Sequence, residues 1–287
     1  MTTTPSAVRL VEHVDRIAEE HPPVPLESVD FTVRRPYEVA ARFGGVLDYM
    51  ARAELEVERN VLELTTLLPD PPAVDRRFYA EVWGPQEARH GLILDLVQLH
   101  LGRPPADTDL TTVSPRLRAL GMLAHLTPVQ DVVRMLYYLT GMTTERSALL
   151  AYHRLHDGVL ALGEDALAHT VITPIRRQEP GHYAYYQLAA RLLWSRLSGW
   201  QRWLVRHLRA ATFSPVGASS AEQHADVGQM LLDLGVEGPG EAAELAVEVA
   251  HVETQLLFAE RAGVTVPPYV AAAFREAVEL ALARAAA

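Results

Sequence analysis

Apolar residues recur every three or four positions along nearly the whole chain, and alternating runs rich in β-branched residues are almost absent. That pattern predicts helices and no sheet. Candidate helices cover residues 6–20, 36–68, 74–101, 115–125, 128–157, 163–209, 219–234, 240–262 and 267–285. Pro128 and Pro267 stand near helix starts, where a missing amide hydrogen removes no helical bond. The proline-rich segment 21–35 predicts an extended entry and 68–74 a loop. Gly84-Pro85 and Pro174 fall inside long helical patterns, so each predicts a kink or a fresh start. The stretch 213–220 is the best internal boundary. It divides a single all-helical domain into a core, residues 36–212, and a C-terminal helical appendage, residues 219–287.

Composition narrows the chemistry. With 287 residues, 49% of them hydrophobic, the chain can bury a substantial core. No run approaches the ~18 apolar residues of a membrane span, and the first ten residues lack the basic-then-apolar plan of a secretory signal. The expectation is a soluble cytoplasmic protein with no membrane partner. Absence of cysteine excludes disulfides, thiolate metal sites, iron-sulfur ligation and cysteine nucleophiles. All 26 basic residues are arginine, which excludes a lysine Schiff base and a phosphate-loop lysine. A net charge of -10 argues against a nucleic-acid partner. Any metal must therefore sit on carboxylate and imidazole.

Glu87-Ala88-Arg89-His90 and Glu179-Pro180-Gly181-His182 are both Glu-x-x-His, which on a helix places a carboxylate and an imidazole on one face, one turn apart. A four-helix di-iron bundle needs two such pairs plus one further glutamate from each of the other two helices. Glu54 lies 33 residues before Glu87 (87 minus 54), and Glu145 lies 34 before Glu179 (179 minus 145). Either interval suits one helix out and one helix back, at a rise of about 1.5 Å per residue. The candidate metal and catalytic residues are Glu54, Glu87, His90, Glu145, Glu179 and His182. Four carboxylates would balance the charge of two divalent ions, and hard oxygen donors with imidazole suit iron or manganese better than structural zinc. Glu58 shares a face with Glu54 and is the fallback for the first ligand, whereas Glu56 points away. A third pair, Glu248 and His251, has no glutamate 33 or 34 residues upstream and reads as a surface or packing pair.

At these residues the chain resembles the soluble acyl-carrier-protein desaturases. The run from Val82 to Gly91 is similar to that family's tryptophan followed by Glu-Glu-Asn-Arg-His-Gly, with Trp83, Glu87, Arg89, His90 and Gly91 coinciding. Thr144-Glu145-Arg146 is similar to its Gln-Glu-Arg, and Glu179 to Tyr185 to its Asp-Glu-Lys-Arg-His followed by tyrosine. The resemblance implies a ferritin-like four-helix bundle with additional C-terminal helices, and the six residues above as ligands of two iron ions. It further implies oxygen-dependent desaturation of an acyl chain on acyl carrier protein, a ferredoxin-type electron donor and a homodimer. Three departures stand out: Pro180-Gly181 inside the second pair, where a kink or bulge is expected; Ala148 where the family carries threonine; and a shorter loop between the first two metal helices.

Two rival functions share the scaffold. A di-iron hydroxylase or N-oxygenase of a small natural-product substrate is one, although para-aminobenzoate N-oxygenases carry an extra histidine where this chain has Ile175. A non-catalytic helical scaffold with a relic site is the other. Tyr183, Tyr185 and Tyr186 cluster after His182; Tyr183, four after Glu179, and Tyr186, four after His182, are candidates to pack over the ligands, and Trp83 is placed for core packing beside the site or for an electron path. Tyr152, His153 and His156 fall two and three turns past Glu145 and read as structural. Arg76, Arg77, Arg176, Arg177 and the series Arg191, Arg196, Arg202, Arg206 and Arg209 are candidates to meet an acidic carrier.

Overall fold

The computed structural model describes residues 7–57, 59, 61, 69–108, 121–215 and 221–287. Predicted helix 115–125 and the second half of predicted helix 36–68 lie largely outside them. The described residues form eleven α-helices and no strand, an all-α fold. They are α1 Ala7–Glu20, α2 Pro36–Leu55, α3 Ala73–Arg77, α4 Gly84–His100, α5 Thr127–Ala161, α6 Thr173–Arg196, α7 Gly199–Thr212, α8 Ala221–Asp233, α9 Pro239–Val249, α10 His251–Leu257 and α11 Pro268–Ala286.

Proline sets several of the starts, standing in the first turn of α2, α4, α5, α6, α9 and α11. Two of these starts grow out of a wider, π-helical turn: Phe78–Trp83 leads into α4 and Leu167–Ile172 into α6. The amide of Gly84 bonds to Tyr79 O and that of Thr173 to Ala168 O, five residues back. Proline follows at once in both places. Its ring would clash with the carbonyl four residues earlier, and the wider turn makes room for it.

Pro180 behaves differently from expectation. It lies inside α6 with no widened turn around it, so the predicted bulge at Pro180-Gly181 is absent. Gly181 instead admits α1: a Cβ there would sit 3.0 Å from Ile17 Cγ2, and His13 Nε2–H donates to Gly181 O at 2.8 Å. Two predicted helices are divided. The helix expected over 163–209 stops before Leu197, and Ser198 with Gln201 builds a capping box for α7. The one expected over 240–262 breaks at Ala250 and ends at Leu257.

Helix α2 packs along α4, and α5 along α6. Each buries one stripe. On α2 it runs Val39, Phe43, Val46, Leu47, Met50 and Ala51, and Glu54 continues the same face. One apolar cluster joins this bundle to the C-terminal helices through Val227 and Leu231 of α8, Ala246 of α9 and Phe274 of α11. A buried ion pair adds a polar latch, because Arg209 of α7 holds Glu253 of α10 at 2.9 Å and also donates to Leu139 O and Thr143 Oγ1 of α5. Arg209 is therefore unable to meet a partner at the surface.

Glycine sets the spacing beside the ligand helices. A Cβ on Gly91 would lie 2.6 Å from Leu55 Cγ and 2.9 Å from the Leu55 backbone nitrogen, so Gly91 lets α2 and α4 approach next to Glu54 and His90. Replacement Gly91→Ala is expected to destabilise the fold by about 1–3 kcal/mol despite alanine's better helix propensity, because two backbones must separate. Chemical denaturation measures this, and an unchanged or higher midpoint would refute the close-approach role.

Candidate metal centre

All six sequence-predicted residues converge between α2, α4, α5 and α6, and all are buried. They form two overlapping groups, Glu54, Glu87, His90 and Glu179, and Glu87, Glu145, Glu179 and His182, each with ligand atoms within 4.8 Å of one another. Glu87 and Glu179 belong to both groups. Glu58 lies outside the described residues. Glu56 is paired with Arg59, away from the groups. Glu248 faces Arg146 and is largely exposed, while His251 lies beyond the break at Ala250, so the third pair stays apart.

The halves mirror each other in detail. His90 Nδ1 faces Glu179 Oε1 at 3.3 Å, Glu87 Oε2 at 3.8 Å and Glu54 Oε2 at 3.9 Å. His182 Nδ1 faces Glu87 Oε1 at 2.7 Å and lies 3.7 Å from Glu145 Oε2 and Glu179 Oε2. Aromatic donors fix the outer oxygens of the two unshared glutamates. Tyr152 Oη–H donates to Glu54 Oε1 at 2.6 Å, and Trp83 Nε1–H to Glu145 Oε1 at 3.0 Å. Their other oxygens, both Oε2, are the ones turned to the imidazoles.

Two glutamines cross-brace the histidines. His90 Nε2–H donates to Gln178 Oε1 at 2.6 Å, and His182 Nε2–H donates to Gln86 Oε1 at 2.5 Å. Such bonds occupy the outer Nε2 atoms and turn both Nδ1 atoms inward, the orientation ligation requires once Nδ1 is free of its proton. The glutamine amides are tied in turn to the entry segment, Gln86 to His21 O at 2.5 Å and Gln178 to Pro22 O at 2.6 Å. Arg89 extends this tether to Val24 O. Gln86 and Gln178 escaped the sequence reading, and Tyr152 was read there as structural. Both motifs are in fact Gln-Glu-x-x-His, a repeat that was visible; Tyr152 shares a face with Glu145, but only the antiparallel packing brings it to Glu54.

Among the described residues, seven buried side-chain nitrogen and oxygen atoms lack a hydrogen-bond partner, and five belong to this centre: Glu87 Oε1, His90 Nδ1, both oxygens of Glu179 and His182 Nδ1. Even the 2.7 Å approach of Glu87 Oε1 to His182 Nδ1 lacks hydrogen-bond geometry. Buried polar atoms are normally paired. Five converging orphans with carboxylate and imidazole chemistry fit metal ions, and the cluster can hold them. No protein-family model, curated protein or solved structure matches the chain.

Electrostatics of the protein side point the same way. Burial works against charge at all six residues. At Glu54 and Glu145 burial, reinforced by the Glu87 charge, pushes the carboxyl well above its ordinary range. At Glu87 and Glu179 burial also pushes up, but the close approach of the two imidazoles, and of Glu54 at Glu87, outweighs it and holds them low. Burial is likewise outweighed at the histidines, where contacts with Glu179 and Glu87 raise His90 to about 9 and those with Glu87 lead in raising His182 well above the usual value. In the metal-free cluster these directions favour protonated histidines and protonated Glu54 and Glu145 over a full set of buried carboxylates.

Binding of divalent ions near neutral pH should therefore displace protons from the histidines and from Glu54 and Glu145. Because these groups hold protons below their raised values, affinity should climb as pH rises. Calorimetry in buffers of different ionisation enthalpy counts the protons, and proton-neutral binding contradicts this charge arrangement.

Proposed function

We propose that the two Glu/His groups hold a pair of iron ions and that the protein is an oxygen-dependent di-iron oxidase acting on acyl chains carried by an acyl carrier protein. The observation that supports it best is the sharing of Glu87 and Glu179 between two adjacent buried groups, each completed by one further glutamate and one histidine. Four carboxylates offset the charge of two ferrous ions, and an all oxygen-and-imidazole donor set suits iron over a structural zinc. Iron bound there supplies reduction of dioxygen and removal of hydrogen from an unactivated carbon. The protein's own residues do the rest. Glu87 and Glu179 would contribute to holding both ions and Glu54 and Glu145 one each, while Tyr152, Trp83, Gln86 and Gln178 hold those side chains in register. Near-complete burial keeps bulk water from the reacting atoms.

An acidic carrier fits the charge distribution. Between Glu179 and Glu222 the chain has five arginines and no carboxylate, on a protein of net charge -10. Arg209 is withdrawn into the core, and Arg202 and Arg206 flank the Trp194 ring, each at 5.4 Å. Arg196, Arg202 and Arg206 are the residues proposed to steer the carrier. A ferredoxin-type reductant, a homodimer and a cytoplasmic location complete the proposal by the resemblance to the desaturases. Among the described residues no helix is long and apolar enough to cross a membrane.

The test is turnover of the iron-loaded protein with reductant, oxygen and acyl carriers of varied chain length, read by mass spectrometry. About two irons per chain are expected, with loss of two hydrogens from the acyl chain; gain of one oxygen atom would mean hydroxylation instead. Glu179→Ala should abolish binding of both ions. Full iron loading with every acyl carrier unchanged contradicts the substrate assignment, and absence of iron contradicts the oxidase.

A further inference from the structure

Trp83 is the first member of a buried aromatic run that leads away from the centre. Its ring stands 5.7 Å from Tyr79 and 6.4 Å from Tyr186, and the rings of these two tyrosines lie 6.2 Å apart. Both adjoin Tyr185, Tyr79 at 6.1 Å and Tyr186 at 5.5 Å, and Tyr185 stacks on Phe78 at 3.5 Å. At the far end lies Asp75 of α3, only 2% exposed. Its carboxylate accepts the Tyr185 hydroxyl at 2.7 Å on Oδ1 and the Tyr138 hydroxyl at 2.5 Å on Oδ2.

A carboxylate buried against two phenols is expensive to keep. Apolar residues of similar volume often replace buried charge without loss of stability. Its chemistry is specific, however. Burial raises the proton affinity of the Asp75 carboxylate against the opposing pull of its two hydroxyl bonds, making it a better proton acceptor, and pushes the Tyr185 phenol well up, so that Tyr185 gives up its proton only when an electron leaves as well.

We propose that Tyr185 and Asp75 form a proton-coupled redox site that draws off an oxidising equivalent left at the metal centre when no substrate is consumed. This rests on the di-iron reading. One electron leaves the Tyr185 ring and passes through Tyr79 or Tyr186 and Trp83 to the oxidised metal pair, which gains that electron. The Tyr185 O–H bond breaks and its proton bonds to Asp75 Oδ1, giving a neutral phenoxyl radical beside a neutral carboxylic acid. An external one-electron reductant restores the phenol, and Asp75 returns the proton. Tyr138 keeps its hydrogen bond to Oδ2 throughout and positions the acceptor.

The experiment mixes the ferrous protein with oxygen in the absence of substrate, freezes it during the reaction and records electron paramagnetic resonance, with iron content measured on the same samples. A phenoxyl signal is expected, narrowed by ring-deuterated tyrosine and lost in Tyr185→Phe and in Asp75→Asn while iron content is kept. Tyr138→Phe, which leaves the Tyr185–Asp75 bond intact, should retain it. If iron binds and is oxidised but no tyrosine signal forms, or if the signal survives Tyr185→Phe, the redox site is refuted and the di-iron reading stands. Failure to bind iron overturns both.

Discussion

Four carboxylates enclosed in one helical bundle form the constraint on which this structure depends. Each is turned inward by the same periodicity that buries leucine and valine, and burial alone makes four such charges untenable. The protein answers with two imidazoles between them, whose proton affinity the carboxylates raise, while Glu54 and Glu145 are pushed toward the protonated form. That is a stable compromise with unpartnered atoms left over. Replacing those protons by divalent cations satisfies the same atoms and removes the mutual repulsion.

Positioning is organised as two matching halves. A lone glutamate and a Gln-Glu-x-x-His helix make one half, and each glutamine braces the histidine of the other. Neither half has a complete centre alone. The extended segment after α1 closes the arrangement, because the carbonyls of His21 and Pro22 hold both glutamines. α1 itself is seated by the notch at Gly181, so the Pro-Gly pair serves packing while His182 keeps its place. The ion pair of Arg209 and Glu253 ties the C-terminal helices to α5, on which Glu145 and Tyr152 are carried.

Much of this was legible in the sequence, for physical reasons that also mark where legibility ends. Helix starts at Pro36, Pro85, Pro128 and Pro174 follow from backbone chemistry local to each residue. The six converging side chains were readable because the intervals of 33 and 34 residues encode a helix and its return. Breaks at Leu197 and Ala250 were hidden by apolar periodicity that runs straight through them, although Ser198 and Gln201 spelled a capping box. Proline's effect was anticipated at Pro85 and Pro174, where a new helix starts after a widened turn; at Pro180, where a kink or bulge was expected, α6 continues with no widened turn. Contacts made across the bundle, such as Tyr152 on Glu54 and Gln178 on His90, depend on the register of helices far apart in the chain. No local pattern specifies that register.

The central claim is that this cluster is a two-metal site. Anomalous diffraction from crystals grown with ferrous iron, collected on both sides of the iron absorption edge, addresses it most directly. The account predicts two iron peaks per chain, one among Glu54, Glu87, His90 and Glu179 and the other among Glu87, Glu145, Glu179 and His182. No peak there, or a single ion with one of the two groups left to hydrogen bonds, would contradict it.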